Sequence, residues 1–276
     1  MKIASYVFFD IETTGLPYQE RNQTKITELS FVAASRNDLE KASIGKKPYF
    51  SKLILLFNPQ RRIHPDSSAI TGLTNEMLKN APIFRDMAET IISFLSELPK
   101  PVCLIAHNGN TFDYKILLAE FRDINMSLPT DLLCADSLIG FRRLHKEKYP
   151  KVSSNSTFED SKGSDNWQDF NVSSEDWNEI DILCSSLLDM DPFVSPQRSG
   201  NNTPSPKKKE NVQEKLSFKL TDLYERLLNK KVAIAHRAED DCMMLLECVV
   251  AAKEFLIWTD KHCKSIHDIK PLVRYG

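Results

Sequence analysis

Apolar and polar positions fall into short alternating blocks near the N-terminus and recur at helical spacing further on. Tyr6-Val7-Phe8-Phe9 is an apolar, aromatic run suited to the middle of a sheet. Residues 26–34 alternate well enough for a second strand, and residues 52–57 predict a third, stopped by Asn58-Pro59. Three successive strands predict an antiparallel meander. Residues 63–78 predict two short helical pieces around Thr71-Gly72-Leu73-Thr74, with Thr74 as an N-cap. Residues 84–98 place Met87, Ile91, Phe94, Leu95 and Leu98 close to one helical face. Val102-Cys103-Leu104-Ile105-Ala106 is short and wholly apolar, the pattern of a parallel strand covered on both faces. A helix over 112–121 and a strand over 132–136 follow. Strands alternating with helices predict an α/β fold, a mixed central sheet flanked by helices.

From about residue 146 to 215 the periodicity fades, and Ser, Asn, Asp, Glu and Pro accumulate. Between Glu159 and Asp191 there are ten acidic residues and one basic residue, Lys162. Such a stretch buries too little apolar area to offset its chain entropy, so a long disordered insertion is expected. Residues 180–188 are apolar enough for a short helix within it. Ser195-Pro196, Thr203-Pro204 and Ser205-Pro206 run into Lys207-Lys208-Lys209, where phosphorylation could alternate with a basic tract. Order is expected to return with a helix carrying Leu220, Leu223, Leu227 and Leu228 on one side. One long final helix is expected over 239–263. The chain therefore divides into a first domain part (1–145), the insertion (146–215) and a second part of the same domain (216–276).

Composition changes this picture little. Of 276 residues, 41% are hydrophobic and 27% charged, as in a globular domain, and a formal charge of -2 leaves any nucleic-acid contact to a local patch. Six cysteines without C-x-x-C spacing argue against a disulfide framework and a zinc site. The N-terminus has one Lys and no apolar run of signal-peptide type, and the apolar run from Cys248 to Ala252 is too short to span a bilayer. An intracellular protein without a membrane segment is expected, in the nucleus, the cytoplasm or both.

Three clusters carry candidate chemistry. Asp10 and Glu12 stand one residue apart, so on a strand both point to one face. Anions held that close repel and are costly to bury unless they share a cation, and oxygen ligands suit hard ions such as Mg2+ or Mn2+. By itself the pair also fits a strand that ends in exposed acids before a turn at Gly15. Asp113 follows His107-Asn108-Gly109-Asn110-Thr111-Phe112, a loop after a central strand, and α/β active sites commonly form beside such carboxyl ends. His107 and Asn108 are expected to close that loop. His236 precedes a helix whose first turns hold Glu239, Asp240 and Asp241, acids that would also complement a helix dipole.

The stretches FDIETTG, HNGNTFD and HRAEDD resemble the three exonuclease motifs of the DEDDh (DnaQ-like) 3′→5′ exonuclease superfamily. Its third motif, H-x-A-x-x-D, is met by His236, Ala238 and Asp241, which selects Asp241 among the three acids. The sister group carries Tyr where this chain has Arg237. Within the superfamily the chain is most similar to the three-prime repair exonucleases (TREX). That likeness rests on GLP after the first motif, ITEL, Ile70-Thr71-Gly72-Leu73-Thr74 and Cys134-Ala135-Asp136-Ser137-Leu138, and covers roughly residues 5–143 and 217–255.

The resemblance implies an RNase H-like exonuclease fold and two-metal hydrolysis at DNA 3′ ends that releases 5′-mononucleotides. Two Mg2+ ions, with Mn2+ able to substitute, would be held by Asp10, Glu12, Asp113 and Asp241. His236 would be the general base, its pKa raised by the neighbouring carboxylates. Leu16, Pro17, Ile70 and Phe112 would flank the terminal bases, with Glu12 and His236 also at the substrate; for Ile70 and Phe112 core packing is the competing role. Single-stranded or frayed DNA is the implied partner. A 3′ exoribonuclease and a nucleic-acid-binding scaffold without catalysis are the alternatives. Edge pairing through residues 52–57 would make a homodimer.

Overall fold

The chain opens with an antiparallel meander of β1 (Ser5–Thr13), β2 (Ile26–Ser35) and, after helix α1 (Arg36–Lys41), β3 (Ser51–Leu56). Helices α2 (Pro65–Thr71), α3 (Asn75–Leu78) and α4 (Phe84–Ser96) lead to β4 (Val102–Ala106), then α5 (Asp113–Asp123), β5 (Leu133–Asp136) and α6 (Ser137–Lys148). Later in the chain come α7 (Leu220–Leu228), α8 (Ala238–Ala251), α9 (Glu254–His262) and the short β6 (Lys264–Ser265). This computed structural model describes residues 1–149, 216–232 and 236–274. Residues 150–215, with the expected short helix at 180–188 and the Ser/Thr-Pro sites, lie outside the described residues, as do residues 233–235. Of the expected insertion, residues 146–148 belong to α6, which runs to Lys148 with His145, Lys146 and Lys148 in its last turn, where cations favour a helix C-terminus.

Among the described residues the sheet order is β3-β2-β1-β4-β5-β6, with β1–β4 and β4–β5 parallel and the other pairs antiparallel. This mixed sheet, flanked by helices, is the RNase H-like arrangement. Strand alternation divides the core between its two faces. Val7, Phe9, Phe31 and Leu104 face one way, against Ala88 and Ile91 of α4 and Leu117 and Phe121 of α5. Tyr6, Phe8, Val32 and Cys103 face the other, against Leu245 and Val249 of α8 and Phe255 of α9. Each fully buried Phe of β1 contributes about 1.5–3 kcal/mol. That burial on both sides makes β1 the mechanical centre of the molecule.

The final helix expected over 239–263 is two helices. α8 ends at Ala251, Ala252 leaves the helical conformation (φ -129°, ψ 72°), and α9 starts at Glu254. No Pro or Gly causes the break. Lys253 Nζ donates to the carbonyls of Glu40 and Ala42 at 2.6 and 2.7 Å, anchoring the corner to the end of α1. The turn lays Phe255 and Trp258 of α9 onto Gly140 of α6, where a Cβ would stand 2.5 and 2.8 Å from their rings.

Candidate active site

β1 remains a strand through Thr13, so Asp10 and Glu12 both project from its carboxyl end toward the α8 side of the sheet. α8 brings Asp241 to them. One carboxylate oxygen from each of Asp10, Glu12 and Asp241 falls within 4.8 Å of the others. Asp241 sits in the first turn of α8, and its carboxylate accepts the backbone N–H of His236, closing the turn that leads into the helix. His236 adopts a left-handed conformation at φ 70°, uncommon for a residue with a Cβ.

Asp113 opens α5 at the end of β4. Its carboxylate accepts the N–H of Ile11, the residue between Asp10 and Glu12, and its own N–H. The loop before it is held by two residues to which the motif reading gave no role. Asp136, 4% exposed, accepts the N–H groups of Asn108, Asn110 and Leu138 at 3.1, 3.0 and 3.0 Å, so one carboxylate shapes the loop and caps α6. The Tyr114 hydroxyl accepts from Ala106 N–H at 2.9 Å and donates to the Ala135 carbonyl at 2.8 Å. Gly109 allows the close approach, since a Cβ there would stand 2.6 Å from Ala106 Cβ and 2.7 Å from the Tyr114 ring. In the sequence Asp136 stood as the last residue of the strand expected over 132–136 and within residues 134–138 of the TREX likeness.

Electrostatics make these carboxylates an unusual set. Burial, then the repulsion of Asp113, Asp241 and Glu12, holds Asp10 well above the ordinary carboxylate range. Burial followed by Asp241 and Glu28 does the same to Glu12. Asp113 and Asp241 are each pushed up to about 7, with burial again the largest cause. Oxygen donors that are buried and mutually repelling are stabilised by hard divalent cations, so the three acids that converge, Asp10, Glu12 and Asp241, could hold a metal ion, with Asp113 outside that group.

His236 differs from expectation. Its pKa is lowered, because half-burial removes the imidazolium from water and no carboxylate contributes an opposing effect. Its neighbour Arg237 donates to Glu28 through Nε at 2.9 Å and Nη2 at 2.6 Å, and Glu28 also accepts Ala238 N–H at 3.2 Å. Glu28 lies directly opposite Glu12 in the β1–β2 ladder. Its sequence signals were an acid within the apolar alternation of residues 26–34 and its place in the ITEL stretch of the TREX likeness.

An exonuclease family model of the RNase T type matches residues 7–160. This chain belongs to that exonuclease family. The family chain is 36% identical to human three prime repair exonuclease 2 over 151 residues, 51% of this chain and 63% of the relative. It is 27% identical to human three-prime repair exonuclease 1 over 284 residues, covering 98% of this chain and 70% of the relative. Its fold is similar to that of the zinc-bound E. coli exonuclease I–single-stranded DNA complex, with TM-score 0.57, 16% identity and coverage of 94% of this chain and 43% of that one. The exonuclease-family chain thus spans less than two thirds of the length of the first of these relatives and under half of that structure.

The residues expected at the substrate of this exonuclease-family chain lie on the loop after β1 and at two helix ends. Leu16 is half-buried and Pro17 buried. Ile70 lies on α2, which is tied to the end of β1 by Ser67 Oγ donating to the Thr13 carbonyl and His64 N–H donating to Thr14 at 2.7 Å. Ile70 is half-buried and belongs to none of the apolar clusters, whereas Phe112 packs against the α4–α5 core. His107 closes its loop: Nδ1 meets Ser137 Oγ and Nε2 meets the Phe218 carbonyl, both at 2.9 Å, and burial pushes its pKa down to about 4.

Proposed function

We propose that this chain is a metal-dependent 3′→5′ exonuclease that hydrolyses phosphodiester bonds at DNA 3′ ends and releases 5′-mononucleotides. The observation that carries the reading is the convergence of Asp10, Glu12 and Asp241 within 4.8 Å, beside the buried Asp113. Four carboxylates balance two divalent cations. Asp10, Glu12, Asp113 and Asp241 would hold the pair. Two bound Mg2+ or Mn2+ ions would supply an activated water and stabilise the departing 3′ oxygen.

The protein's own groups then have distinct tasks. A ring nitrogen of His236, kept neutral near pH 7 by half-burial, takes the proton of the attacking water. Leu16 and Ile70, both half-buried, would present apolar surface to the terminal bases, with the buried Pro17 and the core-packed Phe112 backing them; such contacts tolerate any sequence because every base has a π-face. Glu12 and His236 would meet the substrate at the scissile bond. The names of the human relatives, repair exonucleases, and the single-stranded DNA in the exonuclease I complex support DNA over RNA, with single-stranded or frayed 3′ ends as partner.

Among the described residues β3 is bonded on one side only, so a second copy adding at Ser51–Leu56 would form a homodimer. A monomeric sedimentation coefficient at micromolar concentration would remove that part. No helix among the described residues is long and apolar enough to cross a membrane. Action on DNA points to the nucleus or cytoplasm, which fractionation with a tagged chain would test.

The deciding experiment digests matched 3′- and 5′-labelled DNA and RNA oligonucleotides with Mg2+ or with EDTA. A Mg2+-dependent ladder from the 3′ end, faster on DNA, is expected. A ladder on RNA alone would replace the substrate, and binding without cleavage would replace the enzyme by a scaffold.

A further inference from the structure

Glu28 is a fifth carboxylate in this neighbourhood, and the four-ligand reading gives it no task. Its side chain is 1% exposed. Antiparallel pairing puts it directly opposite Glu12 on the same face of the sheet, where like charges destabilise a strand pair. Two divalent ions balance the charge of Asp10, Glu12, Asp113 and Asp241 and leave that of Glu28 over. Arg237 supplies the missing cation, and its two-pronged contact consumes both Glu28 oxygens.

The same contact governs the path of the backbone. His236 is in the left-handed region, and Arg237 returns at once to an extended conformation (φ -127°, ψ 131°) before α8 begins. A non-glycine residue holds such a turn only where its surroundings fix it. Here the fixing groups lie on both sides of His236. Its own N–H is bound to Asp241, and the next two residues, Arg237 and Ala238, are both bound to Glu28.

We infer that Glu28 and Arg237 form a positioning pair, in which Arg237 keeps a fifth carboxylate out of the metal set while its grip on Glu28 aims His236 at that set. The inference rests on the exonuclease reading above. Neither residue touches the reacting atoms. A lysine could match the charge of Arg237 but not its planar fork, so charge and positioning are separable.

The test compares wild type with Arg237→Met, Arg237→Lys and the double variant Glu28→Gln/Arg237→Met, by Mn2+ titration calorimetry and steady-state kinetics. In Arg237→Met the site gains one net negative charge, so Mn2+ affinity should rise at least about threefold. Its kcat should fall about a hundredfold, the scale for a reacting group displaced by about 1 Å, with KM little changed. These opposite movements separate positioning from general loosening, which would weaken both. The neutral double variant, which buries no unpaired charge, should return Mn2+ affinity to within about twofold of wild type while kcat stays low. Arg237→Lys should keep wild-type Mn2+ affinity and recover part of kcat.

Mn2+ affinity and kcat falling together in Arg237→Met, or kcat fully restored in the double variant, would overturn the inference. A wild-type protein that binds two Mn2+ and degrades DNA, matched in both by Arg237→Met, sinks this inference alone. A wild-type protein that binds no Mn2+ sinks the exonuclease reading with it.

Discussion

The Asp113 carboxylate accepts the backbone N–H of Ile11, so a residue from the start of α5 is fastened between the two acids of β1. The contact joins two motifs about one hundred residues apart and needs no charge. Asp113→Asn keeps an oxygen acceptor for Ile11 and loses the negative charge. Mn2+ stoichiometry should drop from two to one and turnover by about a thousandfold or more, with the metal-free melting temperature unchanged or raised. Asp113→Ala leaves the buried N–H without a partner and should cost about 1–3 kcal/mol. Equal melting temperatures for the two variants would remove the structural role of this contact.

Metal-free stability should fall as pH rises. Asp113 and Asp241 titrate at about 7 in the fold against 3.8 in an exposed chain, burial being the main cause. Between those values the native state holds more protons than the unfolded state, so raising the pH through this window favours unfolding. In EDTA the loss from pH 5 to pH 8 should be about 2–3 kcal/mol for each of the two carboxyls, and saturating Mg2+ at pH 8 should reverse it. A melting temperature that climbs with pH in EDTA would contradict the raised pKa values.

The acid limb of the reaction should lie low. Half-burial lowers the pKa of His236, and a general base must be neutral to act. At saturating Mn2+, kcat should be half-maximal below pH 6.5, the ordinary value of an exposed histidine. His236→Ala should lose about 10²–10⁴-fold in kcat and the limb itself. A limb that survives the substitution belongs to another group.

Away from the site, Gly140→Ala tests the broken final helix. The new Cβ would stand 2.5 Å from the Phe255 ring and 2.8 Å from that of Trp258, and buried rings yield less than flexible chain ends. Overpacking of this kind should cost about 1–3 kcal/mol, read by urea denaturation, while activity per folded molecule stays as in wild type.

The sequence alone marked the strands β1 to β5 and the helices between them apart from α1, and it singled out the four acids as candidates. The alternation of residues 26–34 and short apolar blocks such as Tyr6–Phe9 and Val102–Ala106 encode local structure directly, and motif spacing places candidate chemistry on them. It also determined that Asp10 and Glu12 share a face, because strand alternation is a local property. Tertiary structure alone decided the rest. The corner at Lys253 depends on carbonyls of residues 40 and 42, more than 200 positions away, which no local pattern reports. The pKa of His236 depends on what surrounds the ring: burial lowers it, and the acids that follow it in sequence do not raise it. Glu28 read as one polar position in an alternating strand. Only strand register sets it against Glu12, and only the docking of α8 gives it Arg237, since charge pairing is decided by distance in space.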